Sequence, residues 1–337
     1  MRRENMKKLL RLFLMLVMCL MMAGAWKTEA YAANIVSTNH QKYSYSEYRK
    51  DLRQLRKKYS DRMQVNIIGQ SADERNIYEV VLGNPEAKRH LLVIGNLHAR
   101  EYMTIQLCMA QIESYMKRYN KKEGGKKIAD VLDKVAIHYI PSANPDGTAI
   151  SQYGFNAIRN KKLRSALKKM PGSSRTWKAN ARGVDLNRNW AIAFRKAGRR
   201  GSAGFHGNKA ASEPEIKALV KWINRIDKSG KICGVVSYHS TGSILYGRCA
   251  SQAKAAVKKN TTRMFKVAQK LTGYRLMPTE SIRYANGCSR EYFLYKRNIP
   301  CITVEVGRNS CPLKSGEFPS IWRKNKNLVI REAMLFD

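Results

Sequence analysis

The chain alternates between stretches with helical spacing of apolar residues and short runs typical of strands. Residues 43–59 place four apolar side chains on one face of a helix: Tyr48, Leu52, Leu55 and Tyr59. Short β-like runs follow at 64–68, 77–82 and 90–95. The last of these, HLLVIG, is continuously apolar, which is typical of a central strand buried on both faces.

The rest of the chain continues this alternation. Further helices are predicted at 104–119, 213–227, 253–272, 289–297 and 319–334, and further strands at 135–140, 232–238 and 301–306. Residues 141–210 are predicted to be mostly loop, and long irregular connections in compact domains tend to be functional. The pattern predicts a single α/β domain with a mixed, mostly parallel central sheet and helices on both faces.

Residues 1–32 have the pattern of a secretory signal peptide. A basic start precedes an apolar run at 12–26, and the sequence AYA at 30–32 offers a cleavage site. An uncleaved membrane anchor is the alternative, but the run is shorter than the ~20 residues that a spanning helix needs. We expect a signal peptide at 1–32, a short segment at 33–40 and one secreted domain at 41–337, without a membrane span.

The chain is strongly basic, with 63 Lys and Arg against 25 Asp and Glu and a formal net charge of +38. A field of this size attracts polyanions. A nucleic-acid-binding protein is one alternative that the charge alone would predict, but the basic residues are spread over the whole chain without a recognition motif, so no specific nucleic-acid partner is expected. Anionic cell-envelope polymers are the expected partner of an exported protein, which could then associate with the cell wall. The alternative is that the charge only maintains solubility.

Candidate metal ligands follow two of the predicted strands. His98 and Glu101 come directly after the apolar run at 90–95, and open α/β sheets place ligand crevices at the carboxyl ends of strands. An imidazole and a carboxylate three residues apart suit Zn²⁺, although an incidental surface pair would have the same spacing. Catalytic zinc typically has three protein ligands. His239, at the end of a strand, is the third candidate, and His206 in a glycine-rich loop is its rival.

Glu305 lies near the end of the predicted strand CITVEVG. A carboxylate in such a place is rarely buried without a partner or a task. One interpretation is a salt bridge with one of the many basic residues. The other is a general base acting on water that a metal has made acidic.

The sequence GVDLNRNW at 183–190 is the most specific local pattern. Asp185 could accept the second N–H of a ligating histidine and so fix the orientation of its ring. Asn187 and Arg188 offer hydrogen-bond donors suited to a substrate carboxylate. Taken alone, the block is also compatible with a structural loop that carries an exposed arginine.

Taken in order, the motifs HAREYM, PSANPDG, GVDLNRNW, SEPE, SYHS and VEVG resemble those of the zinc metallocarboxypeptidases, the family of carboxypeptidase A and its bacterial relatives. The similarity covers 41–335, so residues 41–337 are expected to form a carboxypeptidase-like catalytic domain. The resemblance implies one Zn²⁺ per chain, with the ligands His98, Glu101 and His239. It further implies these roles: Asp185 as partner of His98, Asn187 and Arg188 for the substrate carboxylate, Tyr284 closing over substrate, and Glu305 as base.

Two positions depart from the family pattern. Lys178 stands where the family has the arginine that polarises the scissile carbonyl, and a lysine supplies the charge without the planar fork. Arg182 is the alternative residue for this role. Arg290 takes the place expected at the base of the pocket for the residue after the cleaved bond, where a guanidinium favours a side chain ending in a carboxylate.

The sequence WKANARGVDLNRN also resembles bacterial γ-D-glutamyl-L-diamino acid peptidases. This resemblance implies hydrolysis of the γ-D-Glu–diamino acid bond in peptidoglycan stem peptides, whose meso-diaminopimelate would suit Arg290. One alternative is a carboxypeptidase that trims ordinary α-linked peptides, with a preference for acidic C-terminal residues. Another is a wall-binding protein with a decayed active site, although every expected ligand and the base are present. The oligomeric state does not follow from the sequence.

Overall fold

Eight strands form the central sheet of the protein. They are β1 (Met63–Gln70), β2 (Asn76–Leu82), β3 (Arg89–Ile94), β4 (Val135–Ile140), β5 (Lys231–Ser240), β6 (Ile244–Tyr246), β7 (Arg275–Leu276) and β8 (Cys301–Val306). Their order across the sheet is β1-β2-β4-β3-β5-β8-β6-β7. The computed structural model describes residues 34–277 and 286–337.

The centre of the sheet is parallel. β3 pairs in parallel with β4 on one side and with β5 on the other, and β5 pairs in parallel with β8. Antiparallel pairing occurs between β1 and β2, β2 and β4, and β8 and β6. Parallel strands are covered on both faces, which explains why β3 is buried from His90 to Ile94. The carboxyl ends of β3, β5 and β8 therefore meet at one edge of the sheet.

Helices cover both faces of the sheet. They are α1 (Tyr45–Lys58), α2 (Met103–Lys117), α3 (Ile128–Lys134), α4 (Pro145–Tyr153), α5 (Lys161–Lys168), α6 (Pro214–Ser229), α7 (Ala255–Thr272), α8 (Ser289–Glu291), α9 (Phe318–Asn325) and α10 (Leu328–Ala333). One hydrophobic core lies between the sheet and α1, α2, α3, α7, α9 and α10. A second core lies on the opposite face, under α6 and the π-helical turn Tyr292–Arg297 that follows α8.

The predicted α/β architecture with a mostly parallel central sheet is confirmed. The described residues from Ile35 onward form one compact unit. The predicted signal peptide at 1–32 lies outside the described residues. Among those described, no helix is long and apolar enough to cross a membrane. All six cysteines after residue 32 are free thiols, and Cys108, Cys233 and Cys301 are buried.

The structure differs from the predicted elements in several places, and α3 has no predicted counterpart. The stretch 141–210, predicted as mostly loop, contains α4 and α5. Pro145 occupies the first turn of α4, and the Asn144 side chain caps the helix by accepting from the Gly147 N–H at 3.0 Å. The single helix predicted at 319–334 is divided into α9 and α10. The edge strands β6 and β7 are too short for a periodic signal.

Candidate metal centre

The connection between β3 and α2 places His98 and Glu101 at the edge of the sheet. The sharp turn after β3 is made by Asn96 in the left-handed conformation, with φ 57°. The Asn96 side chain donates to the carbonyl oxygen of His98 at 3.0 Å. Its own oxygen accepts from the hydroxyls of Ser142 and Thr148, at 3.1 and 2.7 Å. These bonds fix the backbone that carries the two candidate ligands.

His98, Glu101 and His239 converge on one point. The two oxygens of Glu101 lie 2.8 Å from Nδ1 of His98 and 3.0 Å from Nδ1 of His239. The two Nδ1 atoms lie 3.2 Å apart. Within the described parts of the chain, this is the one group of His, Cys, Asp and Glu side chains with ligand atoms close enough to hold a metal ion together. Two imidazoles and one carboxylate suit Zn²⁺ and leave a position for water.

The outer side of the cluster supports binding of a cation. Nε2 of His98 lies 3.3 Å from the fully buried carboxylate of Asp185, which turns Nδ1 of the ring toward the centre. Asp185 is itself fixed by the backbone N–H of Asn187 at 2.9 Å. The backbone N–H of Ser240 donates to Glu101 at 3.2 Å. A cation would provide one partner for the nitrogen and oxygen atoms that converge there, so these residues fit a zinc ion.

The charges of the cluster stabilise its ionised carboxylates. Burial opposes ionisation of Glu101, but His98 and His239 hold the pKa of its carboxyl well below the usual value. Burial likewise opposes ionisation of Asp185, and His98 together with Lys178 keeps its pKa low. Burial disfavours the charged form of His98, yet Glu101 and Asp185 outweigh it and raise the pKa of the imidazole. The site therefore presents negative charge to a cation.

Glu305 lies beside the cluster. It is on β8, and in the pairing of β8 with β5 it stands opposite His239. Burial raises the pKa of the Glu305 carboxyl to about 7; His239 opposes this shift and Glu101 adds to it. No salt bridge joins Glu305 to any residue that the structure describes, which disfavours a purely structural role. A carboxylate with this pKa can accept and return a proton near neutral pH.

Lys178 and Arg182 are the two candidates for polarising the scissile carbonyl, and Lys178 is the one that lies beside the candidate metal centre. Its Nζ lies 3.1 Å from Oδ2 of Asp185, and its charge lowers the pKa of Glu305. Its backbone carbonyl accepts from the N–H of Ala99, next to the ligand His98. Arg182 instead lines a cavity of about 350 Å³ whose other lining residues come from 184 and 200–213.

Asn187 and Arg188 lie against the start of α8. The side-chain oxygen of Asn187 accepts from the backbone N–H of Ser289 at 2.8 Å. Nη1 of Arg188 donates to the carbonyl oxygen of Asn187 at 2.8 Å and contacts Sγ of Cys288 at 3.0 Å. The segment predicted to bind a substrate carboxylate is thus joined to the segment that carries Arg290. Tyr284, predicted to close over substrate, lies outside the described residues.

Arg290 is paired with the neighbouring residue Glu291. Its Nε and Nη2 lie 2.9 and 2.7 Å from Oε1 of Glu291, and its Nη1 donates to the carbonyl oxygen of Arg248 at 3.1 Å. Both side chains are buried. The sequence predicted a cation at the base of the pocket, whereas the structure has a cation and an anion together. The partner could not be inferred from the Arg290 position alone.

The other histidines have different partners. His206, the rival ligand, contacts the carbonyl oxygen of Arg195 through Nδ1. His138 lies 2.8 Å from Glu79 and 3.0 Å from His90. His40 pairs with Glu47 at 2.8 Å.

Several buried asparagines that support the site were not singled out from the sequence. Besides Asn96, Asn144 donates to the carbonyl oxygen of Leu97 at 3.1 Å, next to His98. Asn180 donates to Glu213 and Glu215 at 2.9 and 3.0 Å, and so joins the SEPE motif to the segment between Lys178 and Asp185. Asn144 and the two glutamates lie within the motifs PSANPDG and SEPE, so these motifs could have identified them as residues near the site.

Comparison with known proteins gives the family. Residues 48–328 match the model of the zinc carboxypeptidase family. The chain is 24% identical over 296 residues to γ-D-glutamyl-L-diamino acid endopeptidase 1 of Lysinibacillus sphaericus, covering 84% of this chain and 70% of that protein. It is 28% identical over 239 residues to carboxypeptidase A4 of Mus musculus, covering 67% of this chain but only 53% of that protein.

A solved structure has the same fold. The crystal structure of thrombin activatable fibrinolysis inhibitor aligns with a TM-score of 0.70 at 20% identity, covering 92% of this chain and 78% of that one. Because the family model spans most of the sequence, including the cluster and Glu305, the resemblance predicted from the motifs is confirmed. The chain belongs to the zinc carboxypeptidase family and is a zinc metallopeptidase.

Proposed function

We propose that this metallopeptidase hydrolyses the γ-D-Glu–diamino acid bond of peptidoglycan stem peptides, with one Zn²⁺ held by His98, Glu101 and His239. The observation that carries the peptidase chemistry is the convergence of these three side chains within hydrogen-bond distance, next to Glu305 on the adjoining strand. The substrate is proposed from the relative in Lysinibacillus sphaericus, whose name states that specificity.

The residues divide the chemistry among them. Zn²⁺ at such a site acts as a Lewis acid on the scissile carbonyl and makes water acidic enough to react near neutral pH. Glu305 removes a proton from the attacking water and later delivers a proton to the leaving amine. Lys178 supplies positive charge for the oxyanion that develops on the carbonyl. Asp185 holds the ring of His98 in the orientation that directs Nδ1 inward.

Asn187 and Arg188 are the proposed site for a substrate carboxylate. Arg188 is half-buried and lies within one residue of the turn fixed by Asp185, so its guanidinium has a defined position. A guanidinium binds a carboxylate through two parallel hydrogen bonds, which supplies orientation as well as affinity. In L-Ala-γ-D-Glu-meso-diaminopimelate, the carboxylate next to the scissile nitrogen is the group that these residues would hold.

The same proposal includes secretion of the protein and its attraction to anionic polymers of the cell envelope. The signal-like pattern at 1–32 supports secretion, and the net charge of +38 supports attraction to anionic polymers of a cell envelope. Fractionation of the source cells tests the first point. Salt-dependent binding to isolated walls tests the second, because exposed charges are screened as ionic strength rises.

A second candidate function is trimming of ordinary α-linked peptides. The similarity to carboxypeptidase A4 favours it, and all the residues placed at the centre would serve either reaction. The two functions differ in the linkage on the amino side of the cleaved bond. Activity on peptides of the two linkages therefore separates them.

The test uses purified zinc-loaded protein, L-Ala-γ-D-Glu-meso-diaminopimelate and an α-linked peptide ending in Glu, with products identified by mass. We expect cleavage of the γ-D-Glu bond that is lost with a chelator and restored by Zn²⁺. The Glu305→Gln variant, with its zinc content measured, is the control for cleavage by a contaminating enzyme. Cleavage of the α-linked peptide alone would make the protein a trimming carboxypeptidase, and cleavage of neither would refute both functions.

A further inference from the structure

The ion pair of Arg290 and Glu291 lies against β6, the short strand that pairs with the strand of Glu305. The guanidinium of Arg290 lies over the ring of Tyr246, 5.7 Å from its centroid. Tyr246 pairs with Thr303 in the antiparallel ladder of β6 and β8, and Glu305 is two residues further along β8. Paired residues and residues two apart share one face of a sheet, so Tyr246, Thr303 and Glu305 lie in a row on the same face.

The row also connects to the proposed carboxylate site. Ser289 and Cys288, which contact Asn187 and Arg188, directly precede Arg290 in the chain. Arg290 therefore contacts β6, which pairs with the strand of the general base, and it directly follows the segment that contacts the proposed carboxylate site. This is the position expected for the pocket that receives the side chain of the residue after the cleaved bond.

The two side chains are buried, and two guanidinium nitrogens of Arg290 contact the same carboxylate oxygen of Glu291. Arg290 and Glu291 are 5% and 4% exposed. Nε and Nη2 of Arg290 both contact Oε1 of Glu291, so these two contacts do not use Oε2. Buried ion pairs are costly to desolvate and often contribute little net stability, so this pair is weak evidence of a purely stabilising role.

We propose that Arg290 and Glu291 together recognise the zwitterionic end of a diamino acid side chain, with Arg290 contacting its carboxylate and Glu291 its ammonium group. This inference rests on the proposed function. The side chain of meso-diaminopimelate ends in a carbon that bears both an ammonium and a carboxylate, and a paired cation and anion are complementary to that combination. A side chain that carried only a carboxylate would face the like charge of Glu291, and one that carried only an ammonium group would face the like charge of Arg290.

Three substrates that differ only in the last residue test this directly. They are L-Ala-γ-D-Glu joined to meso-diaminopimelate, to L-2-aminopimelate, which lacks the second ammonium group, and to L-lysine, which lacks the second carboxylate. We expect kcat/KM for the diaminopimelate peptide to exceed each of the others by about tenfold or more, because a site built to bond a charged group rejects the analogue without it. Equal rates with the diaminopimelate and aminopimelate peptides would overturn the role of Glu291.

The variant Glu291→Gln assigns the ammonium contact to this residue. We expect its preference for diaminopimelate over aminopimelate to fall to within about twofold, while its preference over lysine persists. The ratio of two kcat/KM values in one preparation does not depend on the fraction of folded enzyme. Glu86→Gln is the matched control, because Glu86 is exposed in the connection to the amino end of β3, and its ratio should equal that of the parent.

The outcomes separate this inference from the proposed function. If γ-linked peptides are cleaved but Glu291→Gln keeps the parental ratio, the inference fails and the function stands. If no γ-linked peptide is cleaved, the proposed function fails, and an α-linked series with the same three C-terminal residues then reads the same pocket. If the α-linked series shows no preference for diaminopimelate over aminopimelate and lysine, the inference itself is refuted.

Discussion

Lys178 and His98 contact the two oxygens of Asp185, with Nζ of Lys178 3.1 Å from Oδ2 and Nε2 of His98 3.3 Å from Oδ1. One buried carboxylate thus contacts both a candidate metal ligand and the lysine proposed to act on the scissile carbonyl. The lysine is positioned by the same group that orients the ligand. Lys178 therefore provides a fixed positive charge at the centre.

Lys178 is predicted to act on the transition state. Lys178→Ala should lower kcat about 10²- to 10³-fold, the typical effect of removing one oxyanion donor. Lys178→Arg keeps the charge and should retain more activity than Lys178→Ala. Steady-state kinetics test both, with zinc content measured because Lys178 also contacts the partner of His98. Arg182→Ala is the comparison variant, and a larger loss of kcat there than in Lys178→Ala would assign the role to Arg182.

Glu305 should produce an acidic limb in the pH profile. The base works only when deprotonated, so kcat/KM should rise with pH below its pKa and level off above it. Burial raises that pKa to about 7, and a bound cation lowers it, so the inflection should fall at or below this value. Glu305→Gln should lose about 10²- to 10⁴-fold in kcat with zinc retained. A profile that declines from pH 5 to 7 would contradict this assignment.

Asn96 should control metal affinity without being a ligand. Asn96→Ala removes the bonds to His98, Ser142 and Thr148 and puts a residue without its left-handed tolerance at φ 57°. We expect zinc affinity to fall about 10- to 100-fold, as for other residues that orient ligands. Asn96→Gly retains the backbone conformation and loses only the hydrogen bonds. Competition with a chromogenic chelator measures both, and parental affinity in the alanine variant would exclude this role.

Glu332 should make the protein less stable as the pH rises. It is fully buried in α10, and neither carboxylate oxygen has a hydrogen-bond partner among the residues that the structure describes. Burial raises the pKa of this carboxyl well above its usual value. The folded state therefore holds the proton more tightly than the unfolded state, and stability present below the ordinary pKa is lost as pH increases toward the raised pKa.

Replacement of Glu332 measures that cost. Glu332→Met keeps an unbranched side chain and should raise the free energy of unfolding at pH 8 by about 1–3 kcal/mol, the cost of an unsatisfied buried polar group. The gain should be smaller at pH 4, where the carboxyl of the parent is protonated in the folded state and mostly protonated in the unfolded state. Urea unfolding at the two pH values is the measurement. A variant that is less stable than the parent at pH 8 would show that the carboxyl has a stabilising partner.

The sequence was most informative for residues whose location in the fold follows from their place at the end of a strand. Because the carboxyl ends of β3, β5 and β8 meet, His98, His239 and Glu305 could be grouped from their places at strand ends. The pairing of Arg290 with Glu291 was not predicted, since adjacent residues in a helix need not face each other and side-chain geometry decides. Asn96 was missed because its role depends on a left-handed backbone that only the folded chain reveals.

The strands that adjoin at the centre are far apart in the chain. His98 and His239 are separated by 141 positions, and Glu305 comes later still. Closing loops of this length is entropically costly, and contacts across them set the pace of folding. A fragment shorter than residues 98–239 cannot contain all three candidate ligands, His98, Glu101 and His239. Metal affinity therefore arises only when the middle of the sheet is complete. Zinc uptake would thus report the completion of folding, and bound metal would stabilise the finished sheet against partially folded forms.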